Sequence, residues 1–128
     1  DVRLSSMMAP TAIARDDGWF AVTGNGGSKR IRSAILQVIS NLVDFAMPLA
    51  EAVAAPRMHA DAGQLNLEGG FPDAAQPGLA PLFDRIIAWE GRNMYFGGCH
   101  TVARAPDGRL QGAGDPRRDG VCLDVAPR

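Results

Sequence analysis

The strongest pattern in the chain is a run of apolar positions at three- and four-residue spacing. Ile31, Ile35, Val38, Ile39, Leu42 and Ala46 fall on one face of a helix predicted over 28–46. Ser28 offers an N-cap hydroxyl. Met47-Pro48 ends the helix, because proline disfavours helical geometry in the residue before it. Pro48 then opens a short second helix to Ala54, in a first-turn position where proline is tolerated, and Pro56 closes it. Ahead of these helices, residues 4–15 and the β-prone 19–23 flank Asp16-Asp17-Gly18, a turn signal that predicts an antiparallel hairpin. Behind them, 64–68 alternates as a strand stopped by Gly69-Gly70, and 71–77 reads as a loop. Residues 79–89 read as a helix with Leu82, Phe83, Ile86 and Ile87 on one side. Residues 94–96 and 100–105 read as one strand around Gly97-Gly98, and Pro106-Asp107-Gly108 turns the chain into a last strand from Leu110. The tail after Asp115 is polar and is expected to fray. The order of two strands, two helices, a strand, a helix and two strands predicts an α+β fold, with helices layered on a mainly antiparallel sheet.

Composition narrows the function classes. The 128 residues suit one domain or part of one, with 46% apolar residues and a net charge of −1. That balance argues against a nucleic-acid partner, which calls for a basic excess. The longest apolar-rich stretch, 31–55, is broken by Gln37, Asn41, Asp44 and Glu51. No run therefore approaches the roughly 18 apolar residues that mark a membrane span. The compartment stays open. Cys99 and Cys122 are too few for a disulfide framework, and with His59 and His100 they match no common zinc spacing.

The candidate chemistry starts at Thr23-Gly24-Asn25-Gly26-Gly27-Ser28. A glycine turn at the start of a helix brings backbone amides close to a ligand, and the helix adds the positive end of its dipole. Such a site can hold the oxyanion of an acyl transfer. Lys29, Arg30 and Arg32 sit at the helix start, where the dipole disfavours cations; either a bound anion relieves the conflict or the side chains point to water. Ser5-Ser6 offers two adjacent hydroxyls, which read by themselves as edge or turn serines, although at a strand end or bulge both could face one ligand. Cys99 beside His100 invites a thiol mechanism, but on a regular strand the two side chains face opposite ways, which favours a buried inert cysteine. Arg57 and His59 after Pro56 read as a structural cluster that caps the preceding helix. Glu51, Glu68, Glu90, Asp44, Asp61 and Asp84 are scattered, show no paired spacing, and read mostly as solvated faces.

Several blocks in order resemble one family. Leu4-Ser5-Ser6-Met7, Pro10-Thr11, Gly24-Asn25-Gly26-Gly27-Ser28, Leu36-Gln37-Val38, Asp44-Phe45-Ala46-Met47, 51–59 and Gly112-Ala113-Gly114-Asp115-Pro116-Arg117 are similar to the C-terminal part of γ-glutamyltransferases. The resemblance runs from about Leu4 to Arg118 and is looser over 61–93. It implies a four-layer αββα N-terminal nucleophile (Ntn) hydrolase fold, of which residues 1–128 form a single partial domain. A precursor of this family cleaves itself into a large and a small subunit, and the new N-terminal threonine attacks the γ-glutamyl donor. No metal or organic cofactor is implied. By position, Gly26 and Gly27 match the oxyanion-hole pair and Ser5 and Ser6 match the serines that bind the donor's α-carboxylate. Met7-Met8-Ala9 carries one residue more than the common pattern, and Asn25 stands where a small residue or proline is usual.

The threonines here, Thr11, Thr23 and Thr101, do not match the nucleophile. The resemblance therefore places the attacking threonine upstream of Asp1, with the rest of the small subunit and the large subunit as missing partners. The chain alone is expected to be inactive, and its uncovered apolar surface is expected to drive self-association or strong instability. A non-catalytic scaffold of the same fold and a thiol amidohydrolase using Cys99 are the competing readings.

Overall fold

The computed structural model describes residues 8–125. The first hairpin joins β1 (Thr11–Ala14) and β2 (Phe20–Gly26). A 3-10 turn, Ser28–Arg30, leads into α1 (Ile31–Val43), followed by α2 (Leu49–Ala54). A second, unexpected hairpin follows, β3 (Met58–Asp61) and β4 (Gln64–Leu67). Then come α3 (Ala75–Leu79), a 3-10 turn at Ala80–Leu82, β5 (Arg85–Ala88), and a 3-10 turn at Met94–Phe96. The described chain ends with β6 (Gly98–Arg104), β7 (Leu110–Ala113) and a 3-10 turn at Pro116–Arg118. The strands form a four-stranded antiparallel sheet, β1-β2-β6-β7, and a three-stranded sheet, β3-β4-β5, in which β4 and β5 run parallel. The class is α+β, as the pattern predicts.

Helix α1 forms where its apolar stripe is buried. Ile31, Ala34, Ile35, Val38 and Leu42 pack on Ala21, Cys99, Ala103 and Ala113 of the large sheet, with Ala52 and Val53 of α2 beside them. Each large side chain taken fully from water contributes about 1.5–3 kcal/mol, so this face holds the layer together. The helix is shorter than the predicted 28–46. Its first residues form the 3-10 turn, where Ser28 sits at φ 54° and makes no side-chain cap bond. The helix stops at Val43 because Ala46 takes a left-handed conformation (φ 50°) and the Met47 amide folds back to the Asn41 carbonyl. A left-handed residue just past the last turn is a common way for a helix to end, here with alanine in place of glycine.

Three further expectations are corrected. Residues 79–89 are not one helix. Pro81 confines helical geometry to short turns, and Ile86-Ile87 pair as a strand with Leu65 and Asn66. Met94–Phe96 is a 3-10 turn in which Asn93 caps the Tyr95 amide at 2.8 Å. The segment after Asp115 does not fray at once: Asp115 caps a 3-10 turn and Arg117 is buried.

The large sheet has two unlike faces. Ala21 and Thr23 of β2 and Cys99, Thr101 and Ala103 of β6 face α1 and are buried, with the Thr23 and Thr101 hydroxyls 2.8 Å apart. The opposite face carries Phe20, Val22, Val102 and Leu110, all exposed, around a shallow cavity of about 420 Å³. Contiguous exposed apolar surface of this kind marks an interaction face. The isolated chain is therefore expected to associate at micromolar concentration. Val22→Lys, placed directly opposite Val102, is expected to shift sedimentation velocity toward monomer. A wild-type chain that sediments as a monomer contradicts this.

Candidate functional site

The glycine turn lies where β2 leaves the sheet and the chain bends into α1. Alternation along β2 puts Ala21, Thr23 and Asn25 toward the helix side and Phe20, Val22, Gly24 and Gly26 toward the open face. One row of the open face thus runs from bulky side chains to bare backbone. A Cβ added at Gly24 or Gly26 would meet nothing within 4 Å, so nothing in the described chain requires glycine there, and the space above is free for an incoming group. Gly27 is different. Its φ of 143° is a conformation L side chains rarely adopt, and a Cβ there would lie 3.3 Å from the Gly97 Cα. The Gly27 carbonyl accepts the Arg30 amide at 3.2 Å, which closes the first helical turn directly behind the glycine pair. The turn therefore lies at the N-terminal end of a helical segment, with open space over the Cβ direction of Gly26.

The basic residues are held sideways. Lys29 pairs with Asp61 at 3.3 Å, and the Arg30 guanidinium lies over the Tyr95 ring at 4.5 Å from its centroid. These contacts give the two cations protein partners at the helix start. Ser5 and Ser6 lie outside the described residues.

Behind the turn is a buried ionic cluster that the sequence pattern does not disclose. Glu68, read as solvated, is buried. It accepts both the Nε and Nη2 groups of Arg117 and the backbone amides of Arg57 and Asn93, the last two at 2.9 Å. Asp115 takes the Arg57 guanidinium at 2.6 Å, the Cys99 amide at 2.7 Å and the Arg117 amide at 2.9 Å. The arginines also satisfy the open C-terminal end of α2. Arg57 and Arg117 donate to the Val53 carbonyl, and Arg117 donates to Ala55 at 2.7 Å. The capping role expected for Arg57 is thus present. Burial alone would push the Asp115 carboxyl up, yet Arg57, the amides of Arg117 and Cys99 and the Arg117 charge together hold it below the ordinary value. Burial likewise disfavours the Arg117 charge, and Glu68 with Asp115 outweighs that, raising its pKa. Arg57, Glu68 and the Asp115–Arg117 pair lie far apart in sequence, so local spacing does not reveal the cluster.

The histidines are structural. His59 is buried, with its Nδ1 2.8 Å from the Ser33 hydroxyl. Burial lowers its pKa; Asp61 opposes this, and Arg30, Arg32 and Lys29 reinforce it. His100 projects from the open side of β6, and its Nδ1 accepts the Asp115 amide at 3.2 Å. Cys99 faces the core, fully buried, and burial pushes its thiol up to about 11. A thiol so disfavoured as thiolate, with its neighbouring histidine on the other face, is not placed to attack a carbonyl. Native chain is expected to release one thiol equivalent to a chromogenic disulfide reagent, from exposed Cys122, and a second only on unfolding. Prompt titration of both thiols contradicts this. Among the described residues no group of His, Cys, Asp and Glu side chains is set to hold a metal ion, and no helix is long and apolar enough to cross a membrane.

Comparison with known proteins agrees with this architecture. The Gamma-glutamyltranspeptidase family profile matches residues 2–125. The chain is 33% identical over 114 residues to the glutathione hydrolase proenzyme of Escherichia coli (strain K12), covering 88% of this chain and 19% of that protein. It is 35% identical over 124 residues to the acylase ACY 1 proenzyme of Pseudomonas sp. (strain SE83), covering 97% of this chain and 22% of that protein. A highly active mutant of Gamma-glutamyltranspeptidase from Pseudomonas nitroreducens superposes with a TM-score of 0.78 at 31% identity, covering 98% of this chain and 66% of that chain. The chain thus spans about a fifth of the length of the proenzymes it matches, 19% and 22%. With its α+β layers, its helix-backed glycine turn and a match over almost its whole length, the chain belongs to the γ-glutamyltranspeptidase family.

Proposed function

We propose that this chain is the C-terminal part of the small subunit of a γ-glutamyltransferase-like Ntn hydrolase, and that it supplies the oxyanion donors of the transfer centre. The observation that carries the reading is the glycine turn: two adjacent glycines at a helical N-terminus, one with an unusual backbone geometry and the other facing open space. In this reading a threonine hydroxyl supplied by the rest of the precursor attacks the γ-carbonyl carbon of a glutathione-type donor, and its proton passes to the threonine's own α-amine. The carbonyl oxygen becomes an oxyanion beneath the Gly26 and Gly27 amides. Collapse breaks the amide bond, the leaving amine takes the proton, and a γ-glutamyl ester remains until water or an amino acid resolves it. Donors aimed where charge develops stabilise that transition state more than the ground state. Ser5 and Ser6 would hold the donor's α-carboxylate. The exposed face of Phe20, Val22, Val102 and Leu110 would pack against the remainder of the same precursor, which supplies the rest of the small subunit and the large subunit.

The Pseudomonas acylase relative, as similar as the E. coli one, widens the donor class to other acyl amides. A non-catalytic scaffold has no comparable support. A chromogenic γ-glutamyl anilide tests the reading. The 128-residue chain is expected to release no chromophore, and the self-cleaved full-length protein is expected to release it. Turnover by the chain alone, or none by the processed full-length protein, overturns the proposal.

A further inference from the structure

We propose that Asn25 is a positioning residue of this transfer centre: its side-chain oxygen holds the Gly98 amide and so fixes the direction of the Gly26 and Gly27 amides. The inference rests on the functional reading above. Two successive glycines place few steric limits on their shared peptide groups, so a turn built from them can swing its amides away from a ligand. An oxyanion site works only if its donors are fixed before charge develops. Something outside the pair has to fix them.

The start of β6 does so, through Asn25. The Asn25 Oδ1 accepts the Gly98 amide at 2.6 Å, across the ladder from Gly26, whose register partner is Gly98. The preceding residue is shaped around this contact. Gly97 sits at φ 83°, and a Cβ there would lie 2.6 Å from Asn25 Oδ1, 2.8 Å from Asn25 Nδ2 and 2.8 Å from the Gly26 carbonyl oxygen. Gly97 also lies under Gly27, as its Cα would be 3.3 Å from a Cβ on that residue. The next amide along, that of Cys99, is held by Asp115, which is paired with Arg57 in the buried cluster. Successive amides of β6 are thus gripped by two side-chain acceptors, one tied to the protein core and the other to the glycine turn. The Asn25 Nδ2 group is buried with no hydrogen-bond partner among the described residues. An asparagine that leaves its amide donor unpaired is a poor choice for stability alone, and the oxygen is the atom the structure uses.

The test takes the full-length, self-cleaved enzyme and the variant Asn25→Leu, which keeps the volume and removes the acceptor. With a γ-glutamyl anilide, kcat is expected to fall about tenfold or more while KM stays within about twofold, since the lost interaction acts through the transition state. Hydrogen exchange at the Gly98 amide is expected to quicken. A merely structural asparagine would change the melting temperature and leave kcat per folded enzyme unaltered, and that result overturns the proposal. If Asn25→Leu is not recovered in processed form, Asn25→Asp retains the acceptor. Recovery of that variant with a protected Gly98 amide supports the clamp, and recovery with an unprotected amide overturns it. Wild-type enzyme without γ-glutamyl turnover defeats the functional reading; active wild type with an unaffected Asn25→Leu defeats the clamp alone.

Discussion

Gly27→Ala is expected to lower kcat of the processed full-length enzyme by about 10²–10³-fold, the loss that follows removal of one preorganised oxyanion donor. An alanine at this position cannot keep φ near 143° without strain, and its Cβ would crowd the Gly97 Cα at 3.3 Å. The peptide relaxes by turning, and the amide leaves its direction. The strain itself costs about 1–3 kcal/mol, so a modest drop in melting temperature accompanies the kinetic loss. Gly26→Ala separates the two effects. Its Cβ meets nothing within 4 Å, so the melting temperature is expected to hold while kcat/KM falls, because the new methyl stands where the substrate must come. Steady-state kinetics with thermal unfolding of both variants checks the pair. A Gly26→Ala enzyme as unstable as Gly27→Ala would show that the open space above Gly26 is filled by protein.

Arg117→Ala is expected to cost about 3–5 kcal/mol, the usual penalty for stripping one partner from a buried ion pair. Glu68 would lose its guanidinium partner while remaining buried, and the Val53 and Ala55 carbonyls would lose a donor. Against a typical total of about 5–15 kcal/mol that is a large share of the stability. Urea denaturation of the full-length variant measures it, and a shift under about 1 kcal/mol, the scale of an exposed pair, would show that the cluster is dispensable. The same cluster sets an acid limit. The folded Asp115 carboxyl lies below its ordinary value of 3.8. Its contribution is therefore complete above that pH and is lost as pH falls through the folded value. His59, held below 6.5, acts in the same direction: stability is complete above 6.5 and declines as pH drops through its folded value. The urea midpoint should fall on acidification in two stages, and His59→Gln should remove the upper one.

The elements with a strong period were legible in the sequence. The α1 stripe, the first hairpin and the turn at Pro106-Asp107-Gly108 follow from spacing and from residues with fixed conformational preferences. The errors fall where those signals are weak. Met58-His59-Ala60-Asp61 has no clean alternation, and its hairpin turn, Ala62-Gly63, uses positive φ at both positions with only one glycine to announce it. Leu82, Phe83, Ile86 and Ile87 fit a helical stripe, but Pro81 and pairing with β4 decided otherwise. Tertiary pairing outweighed local period there. Of the candidate site, the glycine turn is visible in the sequence because it puts unusual residues in one place. The support behind it was not: Asn25 meets Gly98, and Glu68 meets Arg117, only after the chain has folded back on itself.

The central claim is that the turn at Gly26-Gly27 faces the reacting carbonyl. A crystal structure of the processed full-length enzyme, trapped as its γ-glutamyl ester by a slowly turned-over donor, tests it most directly. The expected result is an adduct on a residue outside positions 1–128, with the acyl oxygen about 3 Å from the Gly26 and Gly27 amides, the spacing an oxyanion donor requires. An adduct on Cys99, or an acyl oxygen pointing away from those amides, would contradict it.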